Sequence, residues 1–279
     1  MVSAGQPMPR GTRVETLWLG ARRAERITVG PVAGSGVVLY LHGGGFTVGS
    51  LATHRSLAAH LARATGRAVY LLDYRLAPEH PCPAALEDTL AAMDALVRVR
   101  EHPPSSLVLV GDSAGGGIAL SAAQHATARG GDHVGEGGAR RAPTALVLIS
   151  PWADPSRVAE QRRDLVVSRA WGLACADAYL GEGDPDDPRY APARGDLAGL
   201  PPTYLHTNKG ELLHSQCLDL YASLRHAGVT VRFAESDVLW HAAQTQAGMV
   251  REAAESVRSI GSFLVEQWER LDAADESAA

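Results

Sequence analysis

Apolar residues fall along this chain in two alternating signatures: short continuous runs, and longer stretches in which they return every three or four positions. Three runs come first, "RVETLWL" (13–19), "AERITV" (24–29) and "GVVLYLH" (36–42). Glycine and proline set them apart, and they predict an antiparallel entry to a sheet. From residue 53 the rhythm changes. "THRSLAAHLARAT", stopped by Gly66, has the period of a helix, and "RAVYLLDY" that of a strand buried on both faces. The alternation continues with a helix from about Pro83 to Arg100, strand "SSLVLVG" and helix "GIALSAAQHATA". Strands "TALVLIS" and "PTYLHT" follow, then a helix over 212–227 ended by Gly228, strand "VTVRFAE", and a closing helix to about Leu271. The pattern amounts to eight strands, mostly parallel after the third.

Strands that alternate with helices need right-handed crossovers, which cover a parallel sheet on both faces. The fold class is therefore α/β, and 279 residues with 46% hydrophobic content can bury one core, so 1–279 is read as a single domain. A short segment, 1–13, precedes the first strand. Two stretches interrupt the rhythm. The glycine-rich, charged "RGGDHVGEGGARR" (129–141) reads as a surface loop. Residues 151–200 are too long for a loop and contain helix-like "VVSRAWGLACADAYL", so they read as a lid inserted in the sheet.

Charge and composition narrow the function classes. A net charge of −5 without a dense Lys/Arg cluster offers no field for a phosphate backbone, which excludes nucleic acid as the expected partner. The N-terminal residues lack the apolar core of a signal peptide and no segment is apolar enough to span a membrane, so a cytoplasmic location is expected. Cys82, Cys175 and Cys217 are too few and too scattered for a disulfide framework or a zinc knuckle. Neither a metal nor a cofactor is expected.

The stretch "VGDSAGGG" (110–117) carries the chemistry. Gly111-Asp112-Ser113-Ala114-Gly115 fits G-x-S-x-G, in which a sharp strand-to-helix turn lifts a serine hydroxyl above the carboxyl edge of a sheet. Attack by that hydroxyl on a carbonyl creates an oxyanion, which needs fixed donors. In "LYLHGGGF", glycines 43 to 45 allow close approach of bare amides; Gly43 and Gly44, with the amide of Ala114, are the expected oxyanion hole. His42 precedes this loop and is read as structural.

Serine also needs an imidazole to take its proton and a carboxylate to orient that imidazole, and this elbow dictates the chain order Ser, acid, His. Of eleven histidines only His214, His226 and His241 lie far enough downstream, and the first two fall within the predicted helix 212–227. His241, in "SDVLWHAAQ" after the last strand, is the expected base. Glu211, just beyond strand "PTYLHT", is the expected acid, with Asp237 and Asp219 as rivals. Trp152, Trp171, Tyr179 and Trp240 are the aromatic candidates for substrate contact.

Four stretches resemble the hormone-sensitive lipase-like family of α/β hydrolases: "HGGGF" (42–46), "DYRLAPEHPCPAALED" (73–88), "GDSAGGG" (111–117) and "GLPPTYLHTNKGELL" (199–213), followed by the His241 loop. With "DPDDPRYAP" and the terminal helix, the similarity spans about residues 12 to 270. The resemblance implies an α/β-hydrolase fold and a serine carboxylesterase acting on uncharged esters of short to medium acyl chains. It implies that Asp73, Arg75 and Glu79 form a polar network bracing the active-site loops, and that a homodimer forms through the last strand and terminal helix. The same site could also serve amide deacetylation, acyl transfer or lactone opening. The family is similar, too, to plant hormone receptors that lost the base, against which His241 stands. The chain departs from the family pattern at three points: the segment before the first strand is short, so the cap is reduced; the acid is glutamate; and Ala242 and Ala243 follow the histidine where an aromatic is usual.

Overall fold

The computed structural model describes residues 5–98, 106–129, 142–158 and 164–278. The loop expected at 129–141 lies outside the described residues except at its first position, as does the end of the helix expected to reach Arg100. One eight-stranded sheet runs β1-β2-β4-β3-β5-β6-β7-β8. The antiparallel entry is the hairpin β1 (Thr12–Leu19) and β2 (Arg22–Val29), and β2 then pairs antiparallel with β4 (Ala68–Leu72). All other neighbours are parallel: β3 (Val37–Leu41), β5 (Leu107–Asp112), β6 (Ala145–Ile149), β7 (Thr203–Asn208) and β8 (Val231–Ser236).

The inner strands β3 to β7 are buried at every position because both faces are covered. Leu39, Leu41, Leu109, Leu146 and Leu148 point into a core shared with α2 (Ala84–Arg98), α3 (Ala114–Arg129) and α5 (His214–His226). The alternate residues Val38, Tyr40, Val108, Val110 and Val147 face α1 (Leu51–Thr65) and α6 (Arg251–Ala278). Each fully buried leucine in these layers contributes roughly 1.5–3 kcal/mol.

Two helix boundaries differ from the sequence reading. The closing helix extends to Ala278 through "DAADESA", where three alanines and a glutamate favour helix but no apolar periodicity marks it. More consequentially, α3 starts at Ala114, directly after Ser113, although the glycines at 115 to 117 favour a later start. Packing overrides propensity here: a Cβ on Gly115 would overlap the carbonyl oxygen of Leu41. Residues 151–200 hold α4 (Arg169–Leu180) and a short 3-10 turn, Pro192–Arg194. Cys175, Ala176, Tyr179 and Tyr190 pack this excursion on the α3 side of the sheet, and the buried Asp154 anchors it through Arg194 Nε at 3.0 Å. Among the described residues no helix is long and apolar enough to cross a membrane.

Candidate active site

The carboxyl ends of β5, β7 and β8 bring three distant residues together. Ser113 sits between β5 and α3 at φ +52, a left-handed conformation held by its own backbone bonds. Its N–H donates to Ile149 O (2.8 Å), and its carbonyl accepts from Trp152 N (2.8 Å) and Gly117 N (3.2 Å). His241, in the turn after β8, places Nε2 2.8 Å from Ser113 Oγ. Its Nδ1 lies 3.2 Å from Oε2 of Glu211, in the turn after β7. With the proton on Nδ1 donated to the carboxylate, Nε2 is free to accept from the serine hydroxyl.

Glu211 is fully buried, and its carboxylate is saturated with donors. Thr207 Oγ1 donates to Oε1 at 2.6 Å, while Ser150 Oγ (2.6 Å) and Asn208 Nδ2 (3.1 Å) donate to Oε2. Burial alone would push this carboxyl up, but the hydrogen bond and charge of His241, joined by the Ser150 and Thr207 hydroxyls, hold it down at about 2. The converse applies to His241. Burial pulls its imidazolium down, and the bond to Glu211 and its charge, with smaller effects from Asp164 and Asp112, raise it above the ordinary 6.5.

The rivals fall away on geometry. The Asp237 side chain is 73% exposed, with Lys209 Nζ 3.9 Å away, and Asp219 pairs with Arg157 at 2.8 Å on the surface. His214 bonds Glu235 at 2.7 Å, and His226 is exposed on α5. His42 is buried and stacked on Tyr74 with ring centroids 4.3 Å apart. Burial, assisted by neighbouring His54, drives it down to about 4, so it is a neutral spacer.

Gly43 requires a correction as an oxyanion donor. Its N–H already donates to Asp112 Oδ1 at 2.9 Å, and the same oxygen accepts from Tyr40 OH at 2.6 Å. Oδ2 of Asp112 meets His54 Nε2 at 3.3 Å. Burial would push the Asp112 carboxyl up; His54 and Tyr40 more than offset it and hold it below its usual range. A buried carboxylate beside Ser113 thus clamps the glycine loop to the elbow. The N–H groups of Gly44, Gly45 and Ala114 have no partner among the described residues, the last because it opens α3. The loop's shape depends on Gly44, which sits at φ +131 and accepts from Val48 N at 3.0 Å. A Cβ there would overlap the carbonyl of Val48. Gly44→Ala is therefore expected to displace one amide and lower kcat on an ester substrate by on the order of 10²–10³-fold, the cost of one lost donor, while the circular dichroism of the fold is retained.

The aromatic candidates divide. Trp152 and Tyr179 are buried in the core, where Tyr179 stacks on Phe46 with centroids 3.8 Å apart and Trp152 tilts against the same ring at 5.5 Å. The structure gives both a packing role. Trp171 is 37% exposed on α4, and its indole and the thiol of Cys175 lie against Gly45 of the glycine loop. Trp240 precedes the histidine, and its carbonyl accepts from Asn208 Nδ2 at 2.9 Å. The bracing network also differs from expectation. Arg75 bonds Asp88 and Glu87, at 3.0 and 3.1 Å, and the carbonyl of Ala84, whereas Asp73 contributes its backbone to Arg22 and Arg23 and Glu79 is exposed. Ser150, Thr207, Asn208 and the Asp112 clamp were missed as site residues. Only Asp112 carried a local signal, as the variable position next to the serine.

Comparison with known proteins places the fold in a family. A family model described as an alpha/beta hydrolase fold matches residues 38–245. An acetyl-hydrolase of Streptomyces hygroscopicus is 36% identical over 81% of this chain and 74% of its own length. The esterase LipU of Mycobacterium tuberculosis is 33% identical over 82% of this chain and 77% of its own. The crystal structure of an esterase from the bacterial hormone-sensitive lipase family superposes with a TM-score of 0.87 at 35% identity, covering 94% of this chain and 86% of that one.

Proposed function

The chain belongs to the α/β-hydrolase family, in its hormone-sensitive-lipase branch, and from that premise we propose that it is a serine carboxylesterase whose working groups are Ser113, His241 and Glu211. The observation that carries this reading is the continuous line from the Ser113 hydroxyl through His241 to the buried Glu211 carboxylate, at 2.8 and 3.2 Å.

Ser113 Oγ attacks the ester carbonyl carbon as His241 Nε2 takes the hydroxyl proton. The carbonyl oxygen becomes an oxyanion that accepts from Gly44, Gly45 and Ala114 N–H, while Glu211 stabilises the imidazolium. When the tetrahedral adduct collapses, the C–O bond to the alcohol breaks and His241 returns its proton to the departing oxygen. Water then attacks the acyl-serine with His241 again as base, releasing the acid and restoring the hydroxyl.

Residues 151–158 and 164–200 form the cap of this cleft. Trp171, over the glycine loop, is the aromatic best placed to meet substrate, with Trp240 beside the histidine. The substrates proposed are small uncharged esters of short to medium acyl chain, and a relative named for acetyl hydrolysis supports the short end of that range. The test is hydrolysis of p-nitrophenyl esters from acetate to decanoate. Acetate and butyrate should turn over fastest. The free base of His241 is the active form, so kcat/KM is present above its folded pKa and lost as pH falls through it, with a midpoint above 6.5. Turnover of N-acetyl substrates alone, or tight ester binding without turnover, would move the protein to a deacetylase or a receptor.

A further inference from the structure

Glu211 meets its histidine through an oxygen that two other groups also hold. Oε2 accepts from His241 Nδ1 at 3.2 Å, from Asn208 Nδ2 at 3.1 Å and, at the shortest distance of the three, from Ser150 Oγ at 2.6 Å. Ser150 is itself fully buried and stands just past the end of β6. Its N–H donates to His206 O on β7 at 2.7 Å, so the strand pairing fixes its main chain without help from the hydroxyl. It is one of four non-glycine residues at positive φ among the described residues, at +47; the others are Phe46, Ser113 and Ala242, all in the loops that build the site. The hydroxyl oxygen accepts from Asn208 Nδ2 at 3.3 Å, which leaves its single proton for Glu211.

We infer that Ser150 is a positioning residue for the proposed reaction: its hydroxyl fixes the Glu211 carboxylate in line with His241 Nδ1 and sets how strongly that carboxylate supports the imidazolium. This deepens the carboxylesterase reading and rests on it. The physical basis is competition at one oxygen. A hydroxyl donor on Oε2 withdraws negative charge that would otherwise be available to His241, and it also stops the carboxylate plane from turning about its last torsion. Removing it has two separable consequences. The carboxylate loosens, so the imidazole is less well oriented and kcat falls. The carboxylate also becomes more basic, so the imidazolium is stabilised and its pKa rises.

The other groups facing this pair stay in place when Ser150 alone changes. They are Asp164 from the segment before α4, Asp112 at the end of β5, His206 on β7 and the Cys217 thiol on α5. His206 is kept neutral, at about 4, chiefly by burial. A shift in the titration of His241 in a Ser150 variant therefore reports the missing hydroxyl.

The experiment compares Ser150→Ala with Ser150→Gly. Both remove the hydroxyl, whereas glycine alone relieves the positive φ. Both variants should lose on the order of 10–10²-fold in kcat with KM within about twofold. In both, the acid limb of kcat/KM should move to higher pH by about half a unit. Thr207→Ala, which strips only Oε1, should move that limb less. Proton NMR titration of the His241 ring gives the same pKa without turnover, which separates this inference from the proposed activity. Full activity in the glycine variant with loss only in the alanine variant would assign Ser150 a backbone role, and an unmoved His241 titration in both would likewise overturn the inference. If the unaltered protein hydrolyses no ester but its His241 titration still moves with Ser150, the carboxylesterase reading fails while the coupling of Ser150 to the Glu211–His241 pair stands.

Discussion

Ser113→Ala is expected to lower kcat on p-nitrophenyl butyrate by on the order of 10⁵–10⁶-fold, about 7–8 kcal/mol of transition-state stabilisation. The substitution deletes one oxygen and leaves the elbow standing. The bonds that hold the turn run through the backbone, from Ser113 N to Ile149 O and from Trp152 N and Gly117 N to Ser113 O. Alanine must adopt the same φ of +52, a cost of order 1–3 kcal/mol that serine already bears. A residual rate above that of water should survive, because the amides of Gly44, Gly45 and Ala114 still polarise the bound carbonyl. Melting curves and kcat measured on the same preparation check this. A large loss of stability together with activity would mean that the serine served the fold.

Glu211→Gln is the second large effect, with an expected fall in kcat of about 10⁴-fold. The replacement keeps the volume and removes the charge. An amide has one acceptor oxygen and one donor nitrogen, yet the site surrounds the acid with donors from Ser150, Thr207, Asn208 and His241. The amide nitrogen therefore faces a group built to donate, and the imidazolium loses its counter-charge. Because the bond to Glu211 and its charge are what raise the His241 pKa, the acid limb of kcat/KM should move to lower pH, opposite to the shift expected for the Ser150 variants. A stability signature accompanies it. The folded-state pKa of Glu211 is depressed from 4.5 to about 2, so its contribution is fully present above 4.5 and lost as pH falls toward 2. Urea unfolding across that window should be less pH-dependent in Glu211→Gln than in the unaltered chain. Identical slopes would contradict the charge state assigned to the acid.

How much of this was legible in the sequence depended on how local the cause was. The strands could be read because "VVLYL" or "ALVLI" is buried on both faces and so carries no charged residue. The serine elbow was legible because its turn, its small neighbours and its helix lie within eight residues of one another. The glycine loop was recognisable as a loop of bare amides, but which amides stay free was not. Gly43 is consumed by Asp112, 69 positions away in the chain, and no local pattern encodes that pairing. Ser150 was invisible for the same reason: it stands 61 residues from Glu211, just past an apolar strand whose end resembles any other. The start of α3 was misplaced because glycine argues against a helix unless neighbouring backbone forbids a Cβ, a fact of packing alone. Tyr179 and Trp152 show the limit of reading aromatics in a lid segment, since the ring both pack against, Phe46, comes from the distant glycine loop.

The account stands or falls on whether the Ser113 oxygen is a nucleophile in the native protein. Incubation with a fluorophosphonate, followed by digestion and mass spectrometry, reads this directly. The account predicts one stoichiometric adduct on the peptide containing Ser113, formed faster as pH rises through the His241 titration and absent in His241→Ala under the same exposure. Native, folded protein that remains unlabelled at Ser113, or is labelled at the same rate without the imidazole, would contradict it.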